Sequence, residues 1–439
     1  MDCAKETLIL HRWNSKMETK LVQIAGKAET SPQFVFNSLA HLIDEGCLKS
    51  SFRKLRRWAA TGIDKRSYCD YEQDLSVNIH DLHQRLKSGK YKAPDIRRAW
   101  IPKGDGKGKR PLGISTIEDK IVQRAVSDIL SVIYENDFSR HSYGSRIRKS
   151  AHQALSYIRS RIMQYPFRWT IDADIKSCFD SFDHRLILEI LKKRVNDGST
   201  SKLISQWMKA GVIDGKQMFN PESGVPQGNI ISPLLSNIYL HEVLDQWLEG
   251  IRPMLRGEMF FVRFADDFVI GFEYKEDAQR VYQALAKRLQ KYGLTIHPEK
   301  TRLLNFSPGN KGDSRTFDFL GFTHYWTTSK RGFAVIKRRT KRVKVNRVFK
   351  AIYEYCRDNR HERVREQWNG LCMKIKGYYA YFAIPGNFRF LEDVYRKARH
   401  YWFKWLNRRS QYNSYTWDGF EDLLKNFPLP RPRIIHKNV

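Results

Sequence analysis

The sequence contains no run approaching 18 consecutive apolar residues, so no membrane-spanning helix is expected. Its first residues, Met1-Asp2-Cys3-Ala4-Lys5, lack the charged-then-apolar layout of a secretory signal. Six cysteines (Cys3, Cys47, Cys69, Cys178, Cys356, Cys372) are scattered and never form a CxxC pair. That excludes a zinc knuckle and a disulfide framework, and makes a reduced, cytoplasmic setting the expectation. Internal repeats and low-complexity tracts are absent too. Acidic residues are scarce: 47 Asp and Glu stand against 78 Lys and Arg, a net charge of +31.

What is present bounds the protein further. With 41% hydrophobic and 13% aromatic residues, the 439-residue chain can bury large cores, which excludes global disorder. Its length suits two to four domains. The charge is concentrated: Lys330–Val439 carries 27 Lys and Arg against 9 Asp and Glu, a net of +18. Between Lys330 and Lys350 there are ten basic residues and no acid. A localised excess of this kind points to a polyanion, nucleic acid above all.

Hydrophobic spacing predicts helices through most of residues 1–60, with Phe34, Phe36, Leu39, Leu42 and Ile43 on one stripe, and again over Tyr71–Leu86 and Ile117–Tyr134. Between them, Trp100-Ile101-Pro102-Lys103 and Pro111-Leu112-Gly113-Ile114 flank a glycine-rich Asp-Gly segment, a hairpin signal. Trp169–Ile175 alternates, placing Thr170, Asp172 and Asp174 on one strand face. Asp183 is expected to cap a helix to about Val195, and Asp277 a helix ending at Gly293. The last quarter reads as helices over Asn346–Cys356, Val364–Phe382 and Phe390–Leu406, with a Pro-rich tail that cannot be helical. Strand, helix, hairpin, helix and strand in this order predict an α+β domain.

The sharpest chemical feature is Asp266-Asp267, held between Phe261-Val262 and Phe268-Val269-Ile270. Adjacent ionised carboxylates in an apolar hairpin repel one another and lose solvation unless a cation neutralises them. Oxygen-only donors suit Mg²⁺. If the strand ending at Asp174 lies beside that hairpin, three carboxylates converge and can hold two ions for an in-line phosphoryl displacement, with the Ile175 carbonyl as a further ligand. Asp172, on the same strand face, is a rival ligand.

Phe264-Ala265-Asp266-Asp267 resembles the Tyr-x-Asp-Asp box of reverse transcriptases. The motif order from about residue 61 onward resembles the reverse transcriptase–maturases encoded by bacterial group II introns. Lys109-Arg110-Pro111-Leu112-Gly113-Ile114, Ser142-Tyr143-Gly144-Ser145-Arg146, Gly224-Val225-Pro226-Gln227-Gly228-Asn229, His297-Pro298-Glu299-Lys300-Thr301, Phe317-Asp318-Phe319-Leu320-Gly321 and Gly377-Tyr378-Tyr379-Ala380-Tyr381-Phe382 carry the rest of that resemblance. The sequence departs from the family's usual residues at Ser115 (Pro), Phe264 (Tyr) and Asn229 (Gly), among others, and shows no Cys-pair, His-rich nuclease module.

The resemblance implies a right-hand polymerase: a helical N-terminal extension (1–60), fingers (61–165), a palm with an antiparallel sheet (166–325), a helical thumb or maturase domain (326–410) and a basic tail (411–439). It implies RNA-directed DNA synthesis with Mg²⁺, or Mn²⁺ as a substitute. Asp174, Ile175, Asp266 and Asp267 would be ligands and Lys300 a proton donor to pyrophosphate. Lys103 and Arg110 would hold the triphosphate; Phe179, Gln227 and Gly228 would shape the nucleotide site, Phe179 excluding a 2′-hydroxyl. Phe319, Leu320 and Gly321 would grip the primer. Helices carrying Arg338, Arg339, Lys341, Arg342, Lys344 and Arg347 would hold the duplex. The implied partners are an RNA template, a DNA or RNA primer, dNTPs and group II intron RNA, for a monomer or homodimer in the bacterial cytoplasm. A domesticated enzyme of DNA repair or phage defence, a maturase that only folds RNA, and an RNA-templated RNA polymerase are the other readings.

Overall fold

The computed structural model describes residues 15–102, 108–215, 217–219, 222–309, 316–412 and 415–439. Helices α1 (Ser15–Thr30), α2 (Glu45–Arg53), α3 (Tyr68–Gln73) and α4 (Leu75–Lys87) precede strands β1 (Ile96–Pro102) and β2 (Lys109–Ile114). Helices α5 (Ile117–Asp137) and α6 (Ala151–Gln164) lead into β3 (Trp169–Lys176), followed by α7 (His184–Lys192), α8 (Gly198–Lys209) and short strands β4 (Val212–Asp214) and β5 (Gln217–Phe219). Helix α9 (Ser232–Leu240) continues through a π-helical turn into α10 (Gln246–Ile251). Then come β6 (Met259–Phe264), β7 (Asp267–Phe272), α11 (Lys275–Lys291), β8 (Thr295–Ile296) and β9 (Arg302–Asn305). Strands β10 (Thr316–Phe319), β11 (Phe322–Thr328) and β12 (Ala334–Thr340) form a meander, and α12 (Arg342–Asp358), α13 (Val364–Phe382), α14 (Phe388–Leu406) and α15 (Trp417–Asn426) close the chain.

The central sheet explains where chemistry can sit. Strand β3 pairs antiparallel with β7 on one edge and with β9 and β8 on the other, and β7 pairs with β6. Residues opposite one another share a face. Ile171, Ala173, Phe268, Ile270 and Phe261 join a core with α5, α7, α9 and α11. The other face gives Phe260, Val262, Val269 and Leu304 to a second core shared with α6 and the β10–β12 meander. On that face, at the strand ends, stand Asp172, Asp174 and Asp267 (Asp174 lies directly opposite Asp267). A third core lies among α12–α15, where Tyr378, Tyr379 and Trp402 are buried.

Several local expectations need correction. Residues 31–44 are not a helix apart from a 3₁₀ turn at Ala40–Leu42. Arg194 donates to the carbonyls of Ala28, Ser31 and Phe34, Phe36 makes an isolated β-bridge with Val195, and Asp197 accepts from the Leu39 N–H at 2.8 Å. Those distant partners satisfy the backbone outside any helix. The stripe over Tyr71–Leu86 is split at Asp74 into α3 and α4. Tyr274 is the N-cap of α11; Asp277 lies inside its first turn and accepts from the Gly257 N–H at 3.0 Å. Arg338 and Arg339 stand on β12, not on a helix. Residues of α1 and α2 enter the same core as α5.

Candidate active site

The β6–β7 hairpin turns through Ala265 and Asp266, with Phe264 paired to Asp267. Ala265 has φ +57°, an uncommon conformation for a residue with a Cβ. Its surroundings hold it there. Arg263, fully buried, donates to both oxygens of Asp245 (2.7 and 2.6 Å), to Asn237 Oδ1 (2.9 Å) and to the Ala265 carbonyl (3.2 Å). Asn237 also donates to the Gly144 carbonyl at 2.8 Å. Gly144 packs so closely on the turn that a Cβ there would lie 2.4 Å from the Ala265 nitrogen, which accounts for glycine. A bidentate guanidinium–carboxylate pair with its remaining donors bonded is the geometry in which a buried ion pair is tolerated.

On the other side of the turn the charge is not balanced. The Ile175 N–H points to the Asp266 carbonyl (3.4 Å), joining the ends of the two elements. Burial, then the fields of Asp172, Asp174 and Asp266, holds the Asp267 carboxyl well above the ordinary carboxylate range, although the nearby Leu320 backbone opposes this. Burial and then the Asp174 charge raise Asp266 as well. Lys300 forms an ion pair with Asp174; burial opposes its charge, but Asp174, Asp266 and Asp267 outweigh this and push its pKa up, so it is protonated at neutral pH. Burial lifts Asp172 to about 6 despite its 3.1 Å contact with Arg302. Asp318 pairs with Lys341 at 2.9 Å. Asp172, Asp174, Asp267, Glu299 and Asp318 line one cavity of about 490 Å³ with Lys300, Arg302 and Lys341.

This donor set fits a hard divalent cation: carboxylate oxygens from adjacent backbone positions, with Asp266 and Asp267 raised in pKa first by burial and then by neighbouring acids. Among the described residues these side chains are not gathered about one point, and Asp174 is paired with Lys300.

The remaining sequence-predicted residues fall into three places. Leu320 (φ +51°) and Gly321 (φ +80°) form the β10–β11 turn beside the acids. Tyr381 donates to the Leu320 carbonyl (2.8 Å), the Lys341 N–H donates to that of Gly321 (3.0 Å), and the Phe319 ring is buried in the second core. Phe179 and Gln227 belong to a separate corner. The Phe179 carbonyl accepts from the Val225 N–H at 2.7 Å, and Gln227 lines a small cavity of about 100 Å³ with Arg98, Gly113 and Asp180. Gly228 (φ +113°) has no room for a Cβ, which would lie 2.3 Å from the Gly113 carbonyl. Arg110 is exposed on β2, opposite Ile101. Lys103 lies outside the described residues.

Along the basic stretch, Arg339, Arg342 and Arg347 are exposed, and Lys344 lies near Gly321. Arg338 is only 2% exposed and donates to the Leu155 carbonyl, so its charge is a packing element and not a surface for phosphate.

Sequence reasoning missed Arg263, Asp245, Asn237, Arg302 and the acid role of Asp318. The available signal was a lone arginine inside an otherwise apolar strand, Phe260-Phe261-Val262-Arg263-Phe264, which demands a buried partner. Two departures from the family's usual residues meet: Ser115 Oγ donates to Asn229 Oδ1 at 2.7 Å, both side chains buried.

The profile described as Reverse transcriptase (RNA-dependent DNA polymerase) matches residues 101–324, just over half of the chain. Over 213 residues the chain is 42% identical to the group II intron-encoded protein LtrA of Lactococcus lactis subsp. cremoris, covering 48% of this chain and 34% of that protein. It is 39% identical over 190 residues to the protein YkfC of Escherichia coli (strain K12), covering 43% of this chain and 49% of that one. It is 29% identical over 350 residues to the putative COX1/OXI3 intron 1 protein of Saccharomyces cerevisiae, covering 65% and 41%. The chain therefore spans less than two thirds of the length of each of these relatives. With an Asp-Asp hairpin, an opposed Asp174 and a profile match running through all of them, this chain belongs to the reverse transcriptase family.

Proposed function

We propose that the chain is an RNA-directed DNA polymerase that adds deoxynucleotides to a primer 3′-hydroxyl. The observation that carries this reading is the Asp174–Asp267 pairing with Asp266 in the adjoining turn, three acids brought to one end of the central sheet. Asp174, Asp266, Asp267 and the Ile175 carbonyl would hold two Mg²⁺ ions, or Mn²⁺ in their place. Bound there, the metal would supply activation of the attacking hydroxyl and stabilisation of the leaving oxygen. Lys300, protonated and paired with Asp174, would donate to pyrophosphate.

In this reading β1–β2 and the flanking helices are the fingers, the central sheet is the palm, and α12–α14 with β12 form the thumb. Lys103 and Arg110 bind the triphosphate. Phe179, backed by Gly224-Val225, sits beneath the sugar, and Gln227 and Gly228 line the nucleotide and template path. Leu320 and Gly321 meet the primer. Arg339, Lys341, Arg342, Lys344 and Arg347 hold the duplex through phosphate contacts. The intron-protein relatives support a second role, binding of group II intron RNA as a maturase.

Primer extension on an RNA template tests the reading. It is expected to require Mg²⁺ and to vanish in Asp266→Ala; activity surviving that change overturns the metal assignment. Phe179→Ala is expected to admit ribonucleotides, and unchanged sugar selectivity removes its role as a gate.

A further inference from the structure

A helix leaves its last carbonyls without intrahelical partners. At the end of α13 those groups are satisfied in an unusual way. The Tyr379 carbonyl accepts from the Ala383 N–H at 3.1 Å, and that of Phe382 from Asn387 Nδ2 at 2.8 Å. The two between them turn to histidines: the Ala380 carbonyl lies 2.7 Å from His436 Nε2, and the Tyr381 carbonyl 2.8 Å from His152 Nε2. A carbonyl only accepts, so both imidazoles carry a proton on Nε2. The Ala383 carbonyl accepts from the N–H groups of Ile435 (3.0 Å) and His436 (3.1 Å).

The two imidazoles come from distant parts of the chain and stack on each other, with centroids 3.7 Å apart and planes inclined by 22°. His152 stands in the first turn of α6, where Ser150 and Gln153 form a capping box and Leu155 and Ile158 enter the second core. His436 belongs to the segment 429–439. Leu429 is buried in the third core, Val439 packs against the second, and the Asn438 carbonyl accepts from Ser156 on α6 at 3.1 Å. This segment straps the two cores together, and the histidine stack marks where it crosses the end of α13.

The last turn of α13 reaches onward to the acids. The Tyr381 ring lies 5.3 Å from that of His152 and stacks with Phe322 at 5.8 Å. Its hydroxyl donates to the Leu320 carbonyl at 2.8 Å. Burial, then the Asp267 charge, pushes that hydroxyl up to about 12, so it remains a donor at neutral pH. Leu320 has φ +51°, a conformation that a residue with a Cβ keeps only where its surroundings hold it.

We propose that the His152–His436 stack positions the primer end: it fixes the last turn of α13 and, through the Tyr381 hydroxyl, the Leu320–Gly321 turn. The two histidines are positioning residues, and the assignment rests on the polymerase reading, in which that turn meets the primer. Primer extension by the full chain, with primer–template and dNTP varied in turn, tests it. His436→Ala and His152→Phe are each expected to raise the KM for primer–template about fivefold, as for one lost hydrogen bond, and to leave the KM for dNTP unchanged. His152→Gln, whose amide can still donate to the Tyr381 carbonyl, is expected to stay within about twofold of the wild type. Tyr381→Phe breaks the next link and is expected to match His436→Ala, without the two effects multiplying in the double variant. Multiplying effects, an unchanged primer KM, or an equal rise in the dNTP KM overturns the proposal.

Hydrogen exchange over residues 316–323 of the free chain reads the same link without activity. It is expected to quicken about fivefold in His436→Ala and His152→Phe, while exchange within α12 and α14 stays as in the wild type. That control separates a loosened turn from an unfolded helical domain, and unchanged exchange at the turn also overturns the proposal. A wild type that does not extend primers removes the polymerase reading. Extension with primer KM and turn exchange unchanged in the variants removes the positioning role alone.

Discussion

The two sides of the Ala265 turn treat charge in opposite ways. Beneath it, Arg263 and Asp245 are both fully buried and matched, donor for acceptor. Beyond it, Asp266, Asp267 and Asp174 lie on neighbouring backbone positions with Lys300 paired to Asp174, and two of the three carboxyls are raised in pKa. A matched buried pair fixes geometry, whereas an unmatched acid cluster keeps electrostatic energy available for a ligand. The difference separates, within one hairpin, a matched charge that fixes the turn from the acids proposed to bind metal.

The strongest way to break this comparison is to alter each side in turn. Asp267→Asn is expected to abolish primer extension by on the order of 10³-fold or more, while the melting temperature of metal-free protein holds or rises because repulsion is relieved. A falling melting temperature would show the acid to be structural. Arg263→Met should do the reverse to stability, costing about 3–5 kcal/mol by stranding Asp245. The joint change with Asp245→Leu is expected to recover much of that loss in thermal or urea unfolding, yet to leave a weakened response in a Mg²⁺ titration, because nothing then holds the Ala265 carbonyl.

A third, buried acid sharpens the contrast through pH. Asp119 accepts from Tyr91 (2.8 Å), Trp207 (2.6 Å) and Gln123 (2.8 Å), yet burial raises its pKa to about 6. The folded state then holds its proton more tightly than the unfolded chain. Its effect on stability is favourable at low pH and is lost as pH rises from about 4 to 6, a fall of about 2–3 kcal/mol. Asp119→Asn should flatten that part of a melting-temperature profile; an unchanged slope would assign it to other groups. The smallest effect is expected at Ser115–Asn229. Ser115→Ala should cost about 1–2 kcal/mol in unfolding, and less when Asn229→Gly accompanies it, which a double-mutant cycle would show.

The acid side of the hairpin was legible in the sequence and the matched side was not, for a physical reason. Asp266 and Asp267 are neighbours in the chain, so their conflict can be read locally, and the alternation through Asp174 gives its face. Arg263 meets Asp245 across 18 positions and Asn237 across 26, and no local pattern encodes that meeting. The long helices were equally readable: Val364–Phe382 carries its apolar stripe throughout. Residues 31–44 misled because Phe36, Leu39 and Leu42 are spaced like a helix but are fixed by Arg194 and Asp197 from elsewhere. The basic stretch misled in another way: counting charges cannot tell the buried Arg338 from the exposed Arg339.

In the β10–β11 turn, the Leu320 backbone acts on the Asp267 carboxyl, although the sequence keeps the two 53 positions apart. Tyr381 and Lys341 pin the same turn from the helical side. Mechanically, the β10–β11 turn and the acid pair form a single latch. Any displacement of that turn would be felt at Asp267.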